Sequence, residues 1–149
     1  MSLNNEYVIF KLNNEHYGIE IKNVENIEKL IPITRVPYTE DFVEGVVNLR
    51  GVIIPVVDLR TRFGIPPRIL DDESRIIIVN LAENKIGMIV DSSSEVLKLD
   101  REDIDAAPAV RGSIGTDFIR EIGKNDGRII MLIDLNKVLG IEESETTNS

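Results

Sequence analysis

A chain of 149 residues with 42% hydrophobic content can bury one respectable core or two small ones, which is too little for a multi-domain enzyme. A formal charge of −9, no Trp, three Tyr and four Phe leave neither a basic footprint for phosphates nor an aromatic platform for bases, so nucleic acid is not an expected partner. The absence of Cys removes disulfides, thiolate chemistry and cysteine metal ligation, and the single His16 does not build a metal site.

No apolar run approaches the roughly 20 residues of a bilayer span, and the opening MSLNNEY has neither the basic nor the apolar region of a signal peptide. The expectation is a cytoplasmic chain with no direct membrane insertion. Its 23 Ile and 14 Val favour strands, where a stiff χ1 costs little, and an all-β fold.

In chain order, residues 7–30 (YVIFKLNNEHYGIEIKNVENIEKL) open on an apolar run, cross a polar turn at Asn13-Asn14-Glu15 and place Gly18 just inside the return strand. This predicts a hairpin with a bulge or tight bend at the glycine. Residues 31–41 carry Pro32 and Pro37, which cannot donate to a ladder, and read as a crossing between subdomains. Residues 42–64 (FVEGVVNLRGVIIPVVDLRTRFG) form a second hairpin turning at Asn48-Leu49-Arg50-Gly51. Its apolar return strand leads into a short helix capped by Asp58 and ended by Gly64. Pro55 interrupts that strand. A proline here predicts an edge or bulged strand, with Ile53, Ile54 and Pro55 beside a partner-binding surface; protection against aggregation is the rival explanation. Residues 65–73 (IPPRILDDE) break the pattern with a proline pair and an acidic run.

The order then repeats. Residues 76–99 lie over 7–30 without gaps, turning at Ala82-Glu83-Asn84 with Gly87 in the place of Gly18. Residues 118–140 lie over 42–64, with Asp126 in the place of Arg50, Met131 in that of Pro55, and Asp134 and Gly140 as helix cap and stop. The connector 100–117, with Pro108, is the longer counterpart of 31–41, and the polar stretch 142–149 is expected to be disordered. Each repeat, about 6–64 and 75–140, supplies four or five short strands, sufficient for a small closed barrel. Two barrels are implied, and whether each repeat builds its own or exchanges strands with the other stays open.

The run from Asn48 to Arg60 (NLRGVIIPVVDLR), preceded by Phe42 to Val47 and supported by Tyr17-Gly18-Ile19-Glu20-Ile21 and Gly87-Met88-Ile89-Val90-Asp91, resembles the chemotaxis coupling proteins of the CheW family. The similarity extends from about residue 7 to 139. It implies two SH3-like five-stranded β-barrel subdomains and a single CheW-like domain. The implied role is a non-catalytic adaptor that binds the cytoplasmic hairpin tip of chemoreceptors and the regulatory domain of the CheA histidine kinase. The family's receptor groove maps onto Val24, Ile27, Arg50, Gly87 and Val96. One departure is that Asn26 stands where some members carry an acidic residue, so the apolar part of the contact carries over better than the polar part.

Bland readings stand beside these. Arg50 alone is an ordinary solvated turn charge, and Val24, Ile27 and Val96 read equally as core; solvent accessibility separates the two. Opposite charges at equivalent corners, Arg50 and Asp126, suggest that the two barrels serve different partners. His16 and Lys85 occupy matching polar turns, which favours solvated positions. Asp58 and Asp134 recur at the same structural place without a nucleophile or phosphate loop, so they are caps, and no catalytic residue, cofactor or metal is assigned. A barrel hydrolase requires a buried ionisable cluster, and none is expected. The alternative function is a tandem SH3-like interaction module outside chemotaxis, which the missing Trp and scattered Tyr disfavour.

Overall fold

The computed structural model describes residues 5–37, 43–107 and 118–140. The expectations for Phe42, Pro108 and residues 142–149 lie outside the described residues. Eleven strands and two short helices follow in order. They are β1 Asn5–Leu12, β2 Glu15–Glu20, β3 Val24–Lys29, β4 Val43–Leu49, β5 Val52–Asp58, α1 Leu59–Arg62, β6 Arg75–Leu81, β7 Asn84–Val90, β8 Ser92–Leu99, β9 Ile104–Ala106, β10 Ile119–Asn125, β11 Arg128–Ile133 and α2 Leu135–Leu139. The all-β class and the paired subdomains are as the sequence implies.

Four hairpins share one turn chemistry. Asn13-Asn14, Arg50-Gly51, Ala82-Glu83 and Asp126-Gly127 all hold positive φ at both central positions, between 49° and 88°. That pair of left-handed residues defines the type I′ turn, whose twist matches the strands it joins. The helix caps also form as expected. Asp58 accepts the Arg60 amide at 3.0 Å, Asp134 accepts the Asn136 amide at 3.1 Å, and Gly140 closes α2 in the left-handed region.

The strands sort into a six-stranded sheet, order β8-β1-β2-β11-β10-β9, and a five-stranded sheet, order β3-β6-β7-β5-β4. The first five positions of the two orders are equivalent under the repeat, but each sheet takes its first hairpin from one copy and its second from the other. The middle of the chain, β3 to β7, builds one sheet, and its two ends, β1–β2 and β8–β11, build the other. The parallel pairs β11–β2 and β5–β7 are places where the copies meet.

Three apolar clusters result. Val47, Ile54, Val56, Ile76, Ile78 and Ile89 fill the five-stranded sheet, and Tyr7, Ile9, Leu99, Ile130 and Leu132 fill the other. A larger cluster between the sheets takes Val8, Phe10 and Leu12 from β1 and Ile77, Val79 and Leu81 from β6. Both faces of β1 and β6 are therefore buried. This is why their sequences are unbroken apolar runs; each such side chain contributes about 1.5–3 kcal/mol on burial. Phe10, Tyr17, Phe63 and Phe118 continue this cluster as an aromatic chain with centroids 5.4–5.7 Å apart.

Three expectations need correction. Closed barrels are not formed by backbone pairing: both orders are open, with β3 and β4, and β8 and β9, at their ends. Register shifts occur in the pairings of β3, β8, β4 and β10, and side chains make contacts that the backbone ladders do not. Glu28 of β3 meets Arg50 in the β4–β5 turn at 3.3 Å, while Leu99 of β8 packs onto Gly123 of β10. Second, no bulge occurs at Gly18 or Gly87, where the hairpin registers run on unbroken. These glycines make room, because a Cβ on Gly87 would lie 2.8 Å from Ile76 Cγ2 and one on Gly18 3.0 Å from Leu132 Cδ2. Third, Pro55 is not on an edge strand, since β5 lies between β7 and β4. The β5–β7 ladder starts only at Val56, however, whereas its twin starts at Ile130, one residue ahead of Met131. Both ladders have three rungs, and the one on β5 begins only after the residue that lacks an N–H.

Candidate partner-binding surface

Strand β3 is an outer strand of the five-stranded sheet, and its bulge decides which side chains share a face. Val24 pairs with Val79 and Ile27 with Ile77, an extra residue at Glu25 having shifted the register between them. Residues three apart ordinarily face opposite ways along a strand; the bulge turns both to the inter-sheet side. Val24 packs against the inter-sheet core, while Ile27 remains 43% exposed. The core reading thus describes Val24 in part and fails for Ile27.

Val96 is the repeat twin of Ile27. It pairs with Val8 on β1, so it occupies the inter-sheet face of β8, and it is 48% exposed. The two exposed side chains therefore stand at matching places on the outer strands of different sheets. Gly87, by contrast, is buried at the rung with Val56. Its role is to let Ile76 and Val56 close the core beneath the surface.

Arg50 occupies the first turn position, exposed, with its guanidinium 3.3 Å from Glu28 Oε2. Asn26 Nδ2 donates to the same oxygen at 3.2 Å. Asn26 and Glu28 share the face opposite to Ile27, so a polar triad backs the apolar ledge. Sequence reasoning saw the departure at Asn26 and missed that Glu28, one side-chain period along the strand, faces the same way and sets a carboxylate beside Arg50. The structure thus brings Val24, Ile27 and Arg50 to one outer strand and its neighbouring turn. Of the three residues assigned to the β5 surface, Ile53 is 61% exposed, Pro55 is exposed and Ile54 is buried in the core.

A second feature escaped the sequence reading. Arg60 and Asp91 are each only 8% exposed, and Arg60 Nε and Nη2 donate to the two Asp91 carboxylate oxygens at 2.8 Å each. The Asn13 amide donates to Asp91 at 2.8 Å and Arg60 Nη1 donates to the Pro66 carbonyl at 2.6 Å. Burial pushes the Asp91 carboxyl up, but the Arg60 hydrogen bonds, the Asn13 amide and the Arg60 and Arg68 charges together hold it below the usual carboxylate range. These groups are spent on one another and on backbone, which describes a clamp between α1, the first hairpin and the chain crossing into β8. The signal was available in sequence as an arginine directly after the capped helix start, without any hint of its acid.

Residues 6–143 match the CheW-like domain family. The chain belongs to the CheW family. It is 38% identical to a chemotaxis protein CheW of Klebsiella aerogenes over 93% of this chain and 83% of the relative. The chemotaxis protein CheW of Bacillus subtilis is 37% identical over 93% of this chain and 89% of its own length. A crystal structure described as the scaffolding protein TtCheW from Thermoanaerobacter tengcongensis superposes with a TM-score of 0.86 at 41% identity, covering 94% of this chain and 95% of that one. Within this CheW fold, among the described residues, no helix is long and apolar enough to cross a membrane.

Proposed function

We propose that this chain is a non-catalytic adaptor that couples chemoreceptors to the CheA histidine kinase, recruited from the cytoplasm to membrane-associated receptor arrays. The observation that carries the reading is the ledge of Val24 and 43%-exposed Ile27 beside the Glu28–Arg50 pair, on an outer strand of a CheW-family fold. An apolar ledge with a polar border suits a modest protein contact, which takes its affinity from the apolar part and its orientation from the charges. The receptor's cytoplasmic hairpin tip contacts Val24, Ile27 and Arg50, with Val96 contributing from the other sheet. The kinase regulatory domain takes a different surface, and Ile53 with Pro55 is a candidate contact.

Titration calorimetry of the purified chain against a receptor cytoplasmic fragment and, separately, the kinase regulatory domain tests this. Binding to both is expected, with Ile27→Asp weakening the receptor by at least about tenfold and leaving the kinase domain unaffected. Absence of binding to both ends the proposal. The alternative of an SH3-like module for Pro-rich peptides finds no support, since Tyr7 and Tyr17 are buried. Burial, with the Glu15 charge, pushes the Tyr17 phenol up to about 12.

A further inference from the structure

The chain passes from one sheet to the other near Lys22 and again at Asp91, repeat-equivalent positions, and the two crossings are finished with opposite charge. At Asp91 the molecule satisfies itself through Arg60 at 2.8 Å. Nearby on β4, Glu44, the extra residue of that strand's bulge, faces Arg35 at 3.7 Å. At the other crossing both acids have become bases, with Lys22 in the place of Asp91 and Arg120 in that of Glu44, while Asn136 replaces Arg60. Among the described residues, no counterpart of the buried Arg60–Asp91 pair fills this junction. It is instead a cleft of about 260 Å³ whose wall includes Lys22, Asn23, Arg120 and Asn136.

Glu20, Glu121 and Asp134 also line the cleft. Asp134 is committed to the backbone amides of Asn136 and Lys137 at 3.1 and 3.3 Å. Glu20 lies 3.5 Å from Lys22 in a pair whose lysine is 75% exposed, and such pairs are weak in water. Among the described residues, no carboxylate lies within salt-bridge distance of Arg120. The twin positions differ: the acids at 91 and 44 have cations supplied by the chain, whereas Lys22 has only the exposed pair with its near neighbour Glu20, and Arg120 has none among the described residues.

We propose that the cleft receives an Asp or Glu side chain of the receptor segment that lies over Val24 and Ile27, a proposal that rests on the receptor reading above. Lys22 and Asn23 run directly into Val24, so a segment seated on the β3 ledge reaches the cleft without a gap. Arg120 offers a planar fork to a carboxylate, Lys22 a point charge, and the Asn23 and Asn136 amides neutral donors. The arrangement turns an internal ion pair of one junction into an intermolecular one at its twin.

The test is calorimetric titration of the receptor cytoplasmic fragment into the full chain and its Lys22→Glu/Arg120→Glu variant, at low and high salt. Both side chains are exposed, so the thermal midpoint is expected to stay put. Receptor affinity is expected to fall about tenfold at low salt and to lose much of its salt dependence, with kinase-domain affinity unchanged and Lys22→Arg retaining receptor binding. Equal affinity in the variant, with the wild type binding normally, overturns the cleft proposal alone. A loss confined to the kinase domain overturns the assigned occupant. A wild-type chain that does not bind the receptor fragment overturns the receptor reading, and this proposal with it.

Discussion

The β4–β5 and β10–β11 hairpins are two versions of one element, with the same type I′ turn, the same bulge on the first strand and the same aspartate-capped helix afterwards. They differ in side chains. One presents Arg50 at its tip, paired with Glu28, and the other presents Asp126; one carries Pro55 just ahead of its ladder to β7, and the other Met131 within its ladder to β2. The turn glycines and cap aspartates are the same because the backbone needs them, whereas exposed positions differ in charge. Duplication preserved geometry and released charge.

The same contrast at the sheet crossings yields the largest expected effect. Arg60→Met leaves Asp91 buried without its partner, and breaking a buried pair costs about 3–5 kcal/mol, lowering the thermal midpoint by about 10 °C or more. Its twin, Asn136→Ala, is expected to change stability by no more than about 0.5 kcal/mol. Equal losses in calorimetric unfolding would remove the asymmetry. Next come the paired glycines: Gly87→Ala is expected to cost about 1–3 kcal/mol by overpacking against Ile76, and Gly18→Ala less, its nearest neighbour standing at 3.0 Å rather than 2.8 Å. Denaturant midpoints rank the two.

Acid supplies a third comparison. The folded Asp91 carboxyl is held below its unfolded value of about 3.9, so its contribution is present above that pH and is lost as pH falls through the lower folded value. Wild type is therefore expected to lose stability between about pH 5 and 2 more steeply than Asp91→Asn, read as midpoints across a pH series. The smallest stability effect belongs to the tips. Arg50→Asp is expected to shift unfolding by under about 0.5 kcal/mol while strongly weakening the receptor fragment, and Asp126→Arg to leave receptor binding intact.

Much of this was legible in sequence because it is local. Asn13-Asn14, Arg50-Gly51 and Asp126-Gly127 announce their turns, Asp58 and Asp134 their caps, and the apolar runs of β1 and β6 their burial on both faces. What stayed hidden depends on contacts between distant segments. The exchange of hairpins between copies leaves no trace in either repeat alone, since the same strands satisfy both arrangements. The bulge that puts Val24 and Ile27 on one face involves Glu25, which looks like any strand residue, and the acid facing Arg60 lies 31 positions away at Asp91. Pro55 was read correctly as a ladder defect and wrongly as an edge, because a defect is tolerated inside a sheet where the parallel ladder has yet to begin.

The division of the chain between sheets also sets a timetable. During synthesis, every strand of the five-stranded sheet is available once β7 has emerged, and that sheet can form from neighbours in sequence. The β1–β2 hairpin, made before all of them, must hold the Tyr7 and Ile9 face of β1 in waiting until β8 and β11 arrive, with loop closure over most of the chain still to be completed. The earliest-made hairpin is thus the last to find its place, and it is the one that a nascent chain has most reason to shield.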